Sequence, residues 1–304
     1  MLQQTRVDTG VPKWKAFLKR FPDVRALATA AEDDVMKAWE GLGYYRRARL
    51  LHKAAKAIAS RGAFPTTHRQ WLDVPGVGPY TAAAIASIAL NEPVAAVDGN
   101  VNRVISRWAS VQLPVDNSTG RKTIQKFADL LLNHSHPGDH NQAMMELGAT
   151  ICSPKKPHCE KCPIAESCLS SHQESLWSTL PLKQPKKKPT EWHLQWVVAT
   201  WRHWVVAVRQ DEQDVWPNLW ALPQSEPDDS FLEIGPLFDP VKHVLTHRKI
   251  LASFLAFQAP SHQALEAFAR RARGQVLTWD EFEQLARPRL LTKHWDEIRG
   301  HLNA

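Results

Sequence analysis

No run in this 304-residue chain approaches the ~20 apolar residues of a membrane-spanning helix, so a helical membrane protein is excluded and a soluble one expected. The first residues, MLQQTRVDTG, carry no apolar signal segment, which argues against secretion and for a cytoplasmic location. No internal repeat is present, which excludes a repeat array. Cysteine is absent outside one short segment, where Cys152, Cys159, Cys162 and Cys168 stand in the spacing C-x6-C-x2-C-x5-C. A chain that places every cysteine within seventeen residues is building one site. Without secretion, two disulfides fit poorly. Four clustered thiolates in a reducing compartment point to a metal or an iron–sulfur cluster. The spacing alone accommodates zinc and [4Fe-4S] equally.

What is present bounds the chain further. The length suggests about two domains at ~150 residues each, and 43% apolar residues is the content of a folded protein. The net charge of +7 and pI of about 9.3 favour a polyanionic partner, most simply nucleic acid. The 13 tryptophans are scattered and read mostly as core.

Residues 1–150 read as helical. Arg46–Ser60 carries Leu50, Leu51, Ala54, Ala57 and Ile58 at helical spacing, and Thr123–Asn133 repeats the pattern with Ile124, Phe127, Leu130 and Leu131. Ala82–Leu90 reads as a buried, Ala-rich helix. The stretch Leu180–Thr190 (LPLKQPKKKPT) has too little apolar content to pack a core and reads as an extended linker. Beyond it, Trp192–Thr200 and Trp204–Arg209 read as a strand hairpin. Leu251–Phe257 is another strand candidate, and helices return at Gln263–Ala272 and Trp279–Ala286.

Two motifs precede the cysteines. Val74–Thr81 (VPGVGPYT) lies between helical segments. Gly76 and Gly78 permit a tight turn and close backbone approach, and Pro79 suits a first helical turn. A helix–hairpin–helix of this kind presents free N–H groups that suit a DNA phosphate and read no sequence. The stretch VAAVDGNVNRV places Asp98 between an apolar run and a helix. Asp is a preferred N-cap there, so capping alone accounts for it unless other residues add to it.

Together VPGVGPYT, VDGNV and the cysteine spacing resemble, in order, the helix–hairpin–helix DNA glycosylases of the endonuclease III superfamily. The resemblance implies an all-α helix–hairpin–helix glycosylase domain with a [4Fe-4S] cluster lobe over residues 1–179. The implied cluster ligands are Cys152, Cys159, Cys162 and Cys168. Glycosylase/lyase members carry a Schiff-base lysine eighteen residues before the catalytic aspartate, and here that position is Tyr80. A monofunctional glycosylase is therefore expected. MLQQTRV, GLGYY (Gly41–Tyr45) and NQAMMELGA (Asn141–Ala149) resemble the adenine-specific MutY branch, which removes adenine mispaired with 8-oxoguanine or guanine. WPNLWALPQ (Trp216–Gln224) and Leu245–Arg248 resemble that branch's α+β Nudix-like C-terminal domain, placed at 191–304 after a 180–190 linker. The Nudix glutamates of the pattern REx2EExG are absent, so lesion recognition and not hydrolysis is expected there.

The resemblance also assigns roles. Asp98 stabilises charge on the sugar, and Tyr80 and Asn100 orient it and the water. Gly76 and Gly78 hold phosphate. Gln4 and Tyr44 wedge into the duplex with Leu42 beside them, while Leu2, Gln3 and Gln142 belong to the DNA and adenine contacts. Thr246 and His247 match the pair that contacts 8-oxoguanine. The implied partner is double-stranded DNA with A:8-oxoguanine or A:G mispairs, no membrane is expected, and the protein is expected to be a monomer. The family's general acid is a glutamate just upstream of the M-L-Q-Q-T motif, a position this chain does not contain. Glu32, Glu40 and Glu146 do not match it. A start assigned at an internal Met is the expected reason, and little glycosylase activity is expected of the polypeptide as written. The rival readings are a non-catalytic binder of 8-oxoguanine mispairs, an endonuclease III-type glycosylase/lyase, and an electron carrier.

Overall fold

Capping side chains mark where helices begin in the first half of the chain. The computed structural model describes residues 1, 7–185, 189–245 and 248–303. Helices α1 (Val7–Arg20), α2 (Val24–Thr29), α3 (Glu32–Ala38), α4 (Arg46–Arg61), α5 (His68–Leu72), α6 (Pro79–Leu90), α7 (Gly99–Trp108), α8 (Ser118–Leu131) and α9 (Pro137–Glu146) follow one another. Asp23, Thr67, Asp98 and Asn117 accept first-turn N–H groups of α2, α5, α7 and α8. A π-helical turn (Leu147–Ile151), a 3-10 turn (Cys159–Lys161) and the short α10 (Glu174–Trp177) follow. No strand occurs before Thr190 among the described residues.

The chain divides into two units, Met1–His52 with Lys187–Ala304, and Lys53–Lys186. The core of the second gathers Val101 and Ile105 of α7, Ile124 and Ala128 of α8, and Ala95, Val111 and Val115. Two expectations need correction here. The Ala-rich helix α6 is buried only at Ala82, Ala83, Ala86 and Ser87, while Ile88 is 47% exposed; small side chains let one face pack closely and leave the other outside. The buried stripe of α4 is Ala48, His52, Ala55 and Ile58, and Leu51 is exposed. The stripe is rotated because a histidine, not a leucine, takes the inner position.

The expected linker also starts later than its composition suggests. Leu180 is 2% exposed. Its carbonyl accepts from Arg107 Nε at 3.2 Å, and the Leu182 carbonyl accepts from the Val115 N–H at 3.0 Å. Proline-rich chain leaves carbonyls free, and here buried donors use them.

In the other unit, β1 (Thr190–Trp201) and β2 (Trp204–Arg209) form the expected antiparallel hairpin. Strands β3 (Trp220–Ala221), β4 (Leu232–Pro236), β5 (Val241–Val244), β6 (Arg248–Gln258) and β7 (Gly274–Thr278) complete one mixed sheet. Its order is β3-β2-β1-β6-β4, with β5 also on β6 and β7 on β2. β1 and β6 run parallel from Thr190↔Arg248 to Thr200↔Gln258. Helix α11 (His262–Arg271) packs Leu265 and Phe268 on Val197, Val206 and Phe257. Helices α12 (Trp279–Gln284) and α13 (Arg289–Asn303) end the chain.

Candidate active site

Asp98 ends an apolar run and caps α7. Its Oδ1 accepts from the N–H groups of Asn100 (2.8 Å) and Val101 (2.7 Å), and its Oδ2 accepts from Asn100 Nδ2 (3.1 Å). The capping role is thus present, and it fixes the carboxylate at the positive end of a helix. Tyr80, in the first turn of α6, donates to Met145 Sδ at 3.4 Å. Burial raises its phenol above the ordinary value, and the charge of Asp98 raises it further. The phenol therefore stays protonated beside the carboxylate. Asn100 thus bonds Asp98 directly, and Tyr80 stands within electrostatic reach of it.

Several residues that sequence reasoning passed over hold this group. Asn100 Oδ1 accepts from Arg103 Nη2 (2.8 Å), which also donates to the Gly148 carbonyl (2.6 Å), while Arg103 Nε donates to the Cys152 carbonyl (2.7 Å). An unbroken chain of hydrogen bonds thus joins the carboxylate to the cysteine segment. A Cβ on Gly148 would lie 2.6 Å from the Cβ of Asn100, so only glycine lets the π-helical turn meet α7. Asn141 is 2% exposed. It accepts from the Ala96 N–H (3.0 Å) and donates to the Val94 carbonyl and Ser87 Oγ (both 2.9 Å), which pins the run leading to Asp98. Its neighbour Gln142 is exposed on α9 and bonds only weakly, to the Gly138 carbonyl at 3.4 Å.

At the hairpin, Pro79 opens α6 and Gly78 is its N-cap, without a side-chain cap bond. The first-turn N–H groups are left for an outside acceptor. Gly76 has φ +82°. Gly78 does not need its glycine for conformation or space, since a Cβ there would meet nothing within 4 Å.

The four cysteines line one cavity with Arg107, Ile151 and Trp177. Arg107 is 3% exposed and donates from Nη1 to Cys152 Sγ at 3.3 Å and to the Ser153 carbonyl at 2.8 Å. Burial pushes the Cys162 and Cys168 thiols up, and the charges of neighbouring cysteines add to it. No group of three or more His, Cys, Asp or Glu placed to hold one metal ion occurs among the described residues.

In the other unit, Tyr44 is 56% exposed with φ +48° and lines a cleft with Leu42, Arg46, Trp216, His243 and Leu245. Leu42 is 5% exposed. His243 is held below its ordinary value by burial and by Arg289, Lys293 and His294. Of the residues expected to touch DNA, Leu2, Gln3, Gln4, Thr246 and His247 lie outside the described residues. Among the glutamates, Glu40 pairs with Lys37 at 2.6 Å, Glu32 accepts from Asn218, and Glu146 is exposed.

With this geometry in place, comparisons add the following. Residues 1–131 match the family profile described as HhH-GPD superfamily base excision DNA repair protein. Over 228 residues the chain is 35% identical to the adenine DNA glycosylase of Buchnera aphidicola subsp. Schizaphis graminum, covering 73% of this chain and 65% of that one. The chain thus spans 65% of that relative's length. It is 39% identical over 171 residues to the adenine DNA glycosylase of Homo sapiens, covering 55% of this chain and 31% of the human one. Among solved structures, a thermostable thymine-DNA glycosylase aligns with TM-score 0.50 and 28% identity over 55% of this chain and 78% of that one. A non-covalent endonuclease III–DNA complex aligns with TM-score 0.50 and 21% identity over 57% of this chain and 81% of its own.

Proposed function

We propose that the chain, whose residues 1–131 match the HhH-GPD superfamily of base excision DNA repair proteins, acts on DNA as a monofunctional adenine N-glycosylase. The observation that carries this reading is Asp98, fixed by three hydrogen bonds beside a phenol where a lyase would hold an amine. The duplex binds through the α6 hairpin amides, and the target adenosine leaves the stack to expose its N-glycosidic bond. As that bond breaks, positive charge develops on the sugar. The Asp98 carboxylate stabilises it, and water adds to the sugar carbon. Tyr80 and Asn100 orient the carboxylate and the water. Tyr44, with Gln4, fills the gap left in the stack. Thr246 and His247 read the 8-oxoguanine partner, Leu2 and Gln142 line the adenine pocket, and Gln3 contacts DNA.

Residues 1–179 then form the glycosylase domain and 191–304 a Nudix-like recognition domain; the mixed sheet supports the second assignment. The cavity shared by four thiols fits a [4Fe-4S] cluster held by Cys152, Cys159, Cys162 and Cys168. Zinc would draw all four sulfurs to ~2.3 Å from one ion, whereas a cuboidal cluster takes one thiolate on each of four irons, as a set spread around a cavity allows. The cluster supplies a fixed scaffold for the loop. A monomer in the cytoplasm completes the reading.

The test is single-turnover adenine release from a duplex with A opposite 8-oxoguanine, with binding followed in parallel. Tight binding that prefers this duplex over undamaged DNA, with adenine as the base released, is the expected result. Absence of any preference for the mispair would refute the adenine reading. Strand cleavage with a borohydride-trapped adduct would instead establish a lyase.

A further inference from the structure

The two tyrosines of Gly41–Tyr45 stand in opposite surroundings, Tyr44 exposed and Tyr45 buried. Gly41, Gly43 and Tyr44 have φ of +90°, +65° and +48°, a left-handed course costly for a tyrosine. Within the loop, Trp39 Nε1 donates to the Gly43 carbonyl at 3.1 Å, and Arg47 Nη2 donates to the Leu42 and Gly43 carbonyls at 3.1 and 3.3 Å. Tyr44 stands outside, yet Tyr45 is 7% exposed and its hydroxyl donates to the Arg287 carbonyl at 3.0 Å. One buried hydroxyl therefore ties the loop to the segment between α12 and α13.

That segment is built to receive it. Successive carbonyls of extended chain point to opposite sides. The Glu283 carbonyl, in the last turn of α12, accepts from Lys37 Nζ at 2.6 Å; along the non-helical residues that follow, the Leu285 carbonyl accepts from the same Nζ at 3.4 Å and that of Arg287 from Tyr45, whereas the Ala286 carbonyl accepts from the Trp220 N–H of β3 at 2.9 Å. One edge thus holds the 37–45 stretch and the other holds the sheet. Beside it, the Arg287 guanidinium lies over the Phe282 and Trp295 rings, 5.3 and 5.0 Å from their centroids. Arg49 donates to the Pro217 carbonyl, and Asn218 Nδ2 donates to Glu32 Oε1 at 3.1 Å. The cleft that Tyr44 enters is walled by Trp216 and Leu245 of the same C-terminal lobe.

We propose that Tyr45 is a positioning residue for lesion discrimination: its hydroxyl, anchored on Arg287, holds the left-handed Tyr44 loop in the cleft lined by Trp216 and Leu245, so that the wedge meets the mispair in one fixed pose. The inference rests on the proposed reading of Tyr44 as the wedge. It predicts that loss of one buried hydroxyl changes discrimination between mispairs and leaves affinity for undamaged duplex alone.

The test compares Tyr45→Phe with Ile124→Val, a core trimming in the other unit, in the full chain. Hydrogen exchange is read at the Leu42 and Arg47 amides, which bond to the Trp39 and Tyr44 carbonyls at 3.2 and 2.9 Å. Exchange there should quicken roughly 5-fold in Tyr45→Phe and not in Ile124→Val. The ratio of affinities for A:8-oxoguanine over A:G duplex should fall at least about 5-fold in Tyr45→Phe only. Unchanged exchange, or equal effects of the two variants on the affinity ratio, would overturn the proposal. A wild-type chain with no preference for 8-oxoguanine would defeat the lesion-recognition reading instead, and the exchange data would still decide the anchor.

Discussion

Asp98 gives one carboxylate two duties, and substitution separates them. Asn is as good an N-cap as Asp, while Ala is not. Asp98→Asn should therefore leave stability within about 0.5 kcal/mol, and Asp98→Ala should lose about 0.5–2 kcal/mol in urea denaturation. Both should lose stabilisation of a cationic sugar. A large stability loss in the Asn variant would show that the carboxylate is structural. The hairpin glycines divide in the same way. Gly76 needs its positive φ, so Gly76→Ala should destabilise by roughly 1–2 kcal/mol. Gly78 meets nothing within 4 Å, so Gly78→Ala should fold normally and lose only duplex affinity, as read by parallel melting and binding titrations. Tyr45 gives a pH test. Burial raises its phenol far above the ordinary value. Above pH ~10 the unfolded chain releases this proton and the folded chain keeps it, so stability falls as pH rises, by ~1.4 kcal/mol per unit. Tyr45→Phe should flatten that part of the alkaline unfolding profile; an identical slope in both proteins would contradict the assignment.

At the scale of elements, the site is a set of helix starts and turns tied by two buried polar side chains. Arg103 connects Asn100 with the cysteine segment, and Asn141 pins residues 94–96 ahead of the cap. Asn141→Ala should cost roughly 1–3 kcal/mol because it strands buried backbone groups. Losing the proposed [4Fe-4S] cluster should release the 152–168 loop and, through Arg103, slacken Asn100. The expected result is bleached visible absorbance with most far-UV helicity kept and duplex affinity reduced. These ties explain what the sequence made legible. The hairpin, the Asp98 cap and the cysteine spacing are local patterns; the hairpin and the cap fold as their residues suggest, and the four cysteines come to line one cavity. Asn141 was not legible, because its exposed neighbour Gln142 has the same polarity and only tertiary packing of α9 on α6 and on the 94–96 run turns one inward. Arg103 and Arg107 look like solvent-facing residues of α7 until the carbonyls of residues 148–154 are brought to them. Strands β4, β5 and β7 are short, and their partners lie far along the chain, so periodicity alone could not find them. Leu180 reads as linker by composition and is buried by the donors of Arg107.

At the scale of the whole molecule, the net charge of +7 sets how the chain meets a duplex. Affinity should fall steeply with salt, with a log–log slope of about −0.9 for each phosphate neutralised. The preference for the mispair should stay nearly constant, because it comes from contacts that are not counterion-driven. The most direct test of the account measures binding to duplexes carrying, opposite 8-oxoguanine, either a cationic pyrrolidine in place of the sugar or its neutral tetrahydrofuran counterpart. The cation imitates the charge that develops as adenine leaves. The account predicts tighter binding of the cationic duplex by the native chain, at least about 10-fold, and loss of that margin in Asp98→Asn. Equal affinity for the two duplexes, or a margin that survives the substitution, would contradict it.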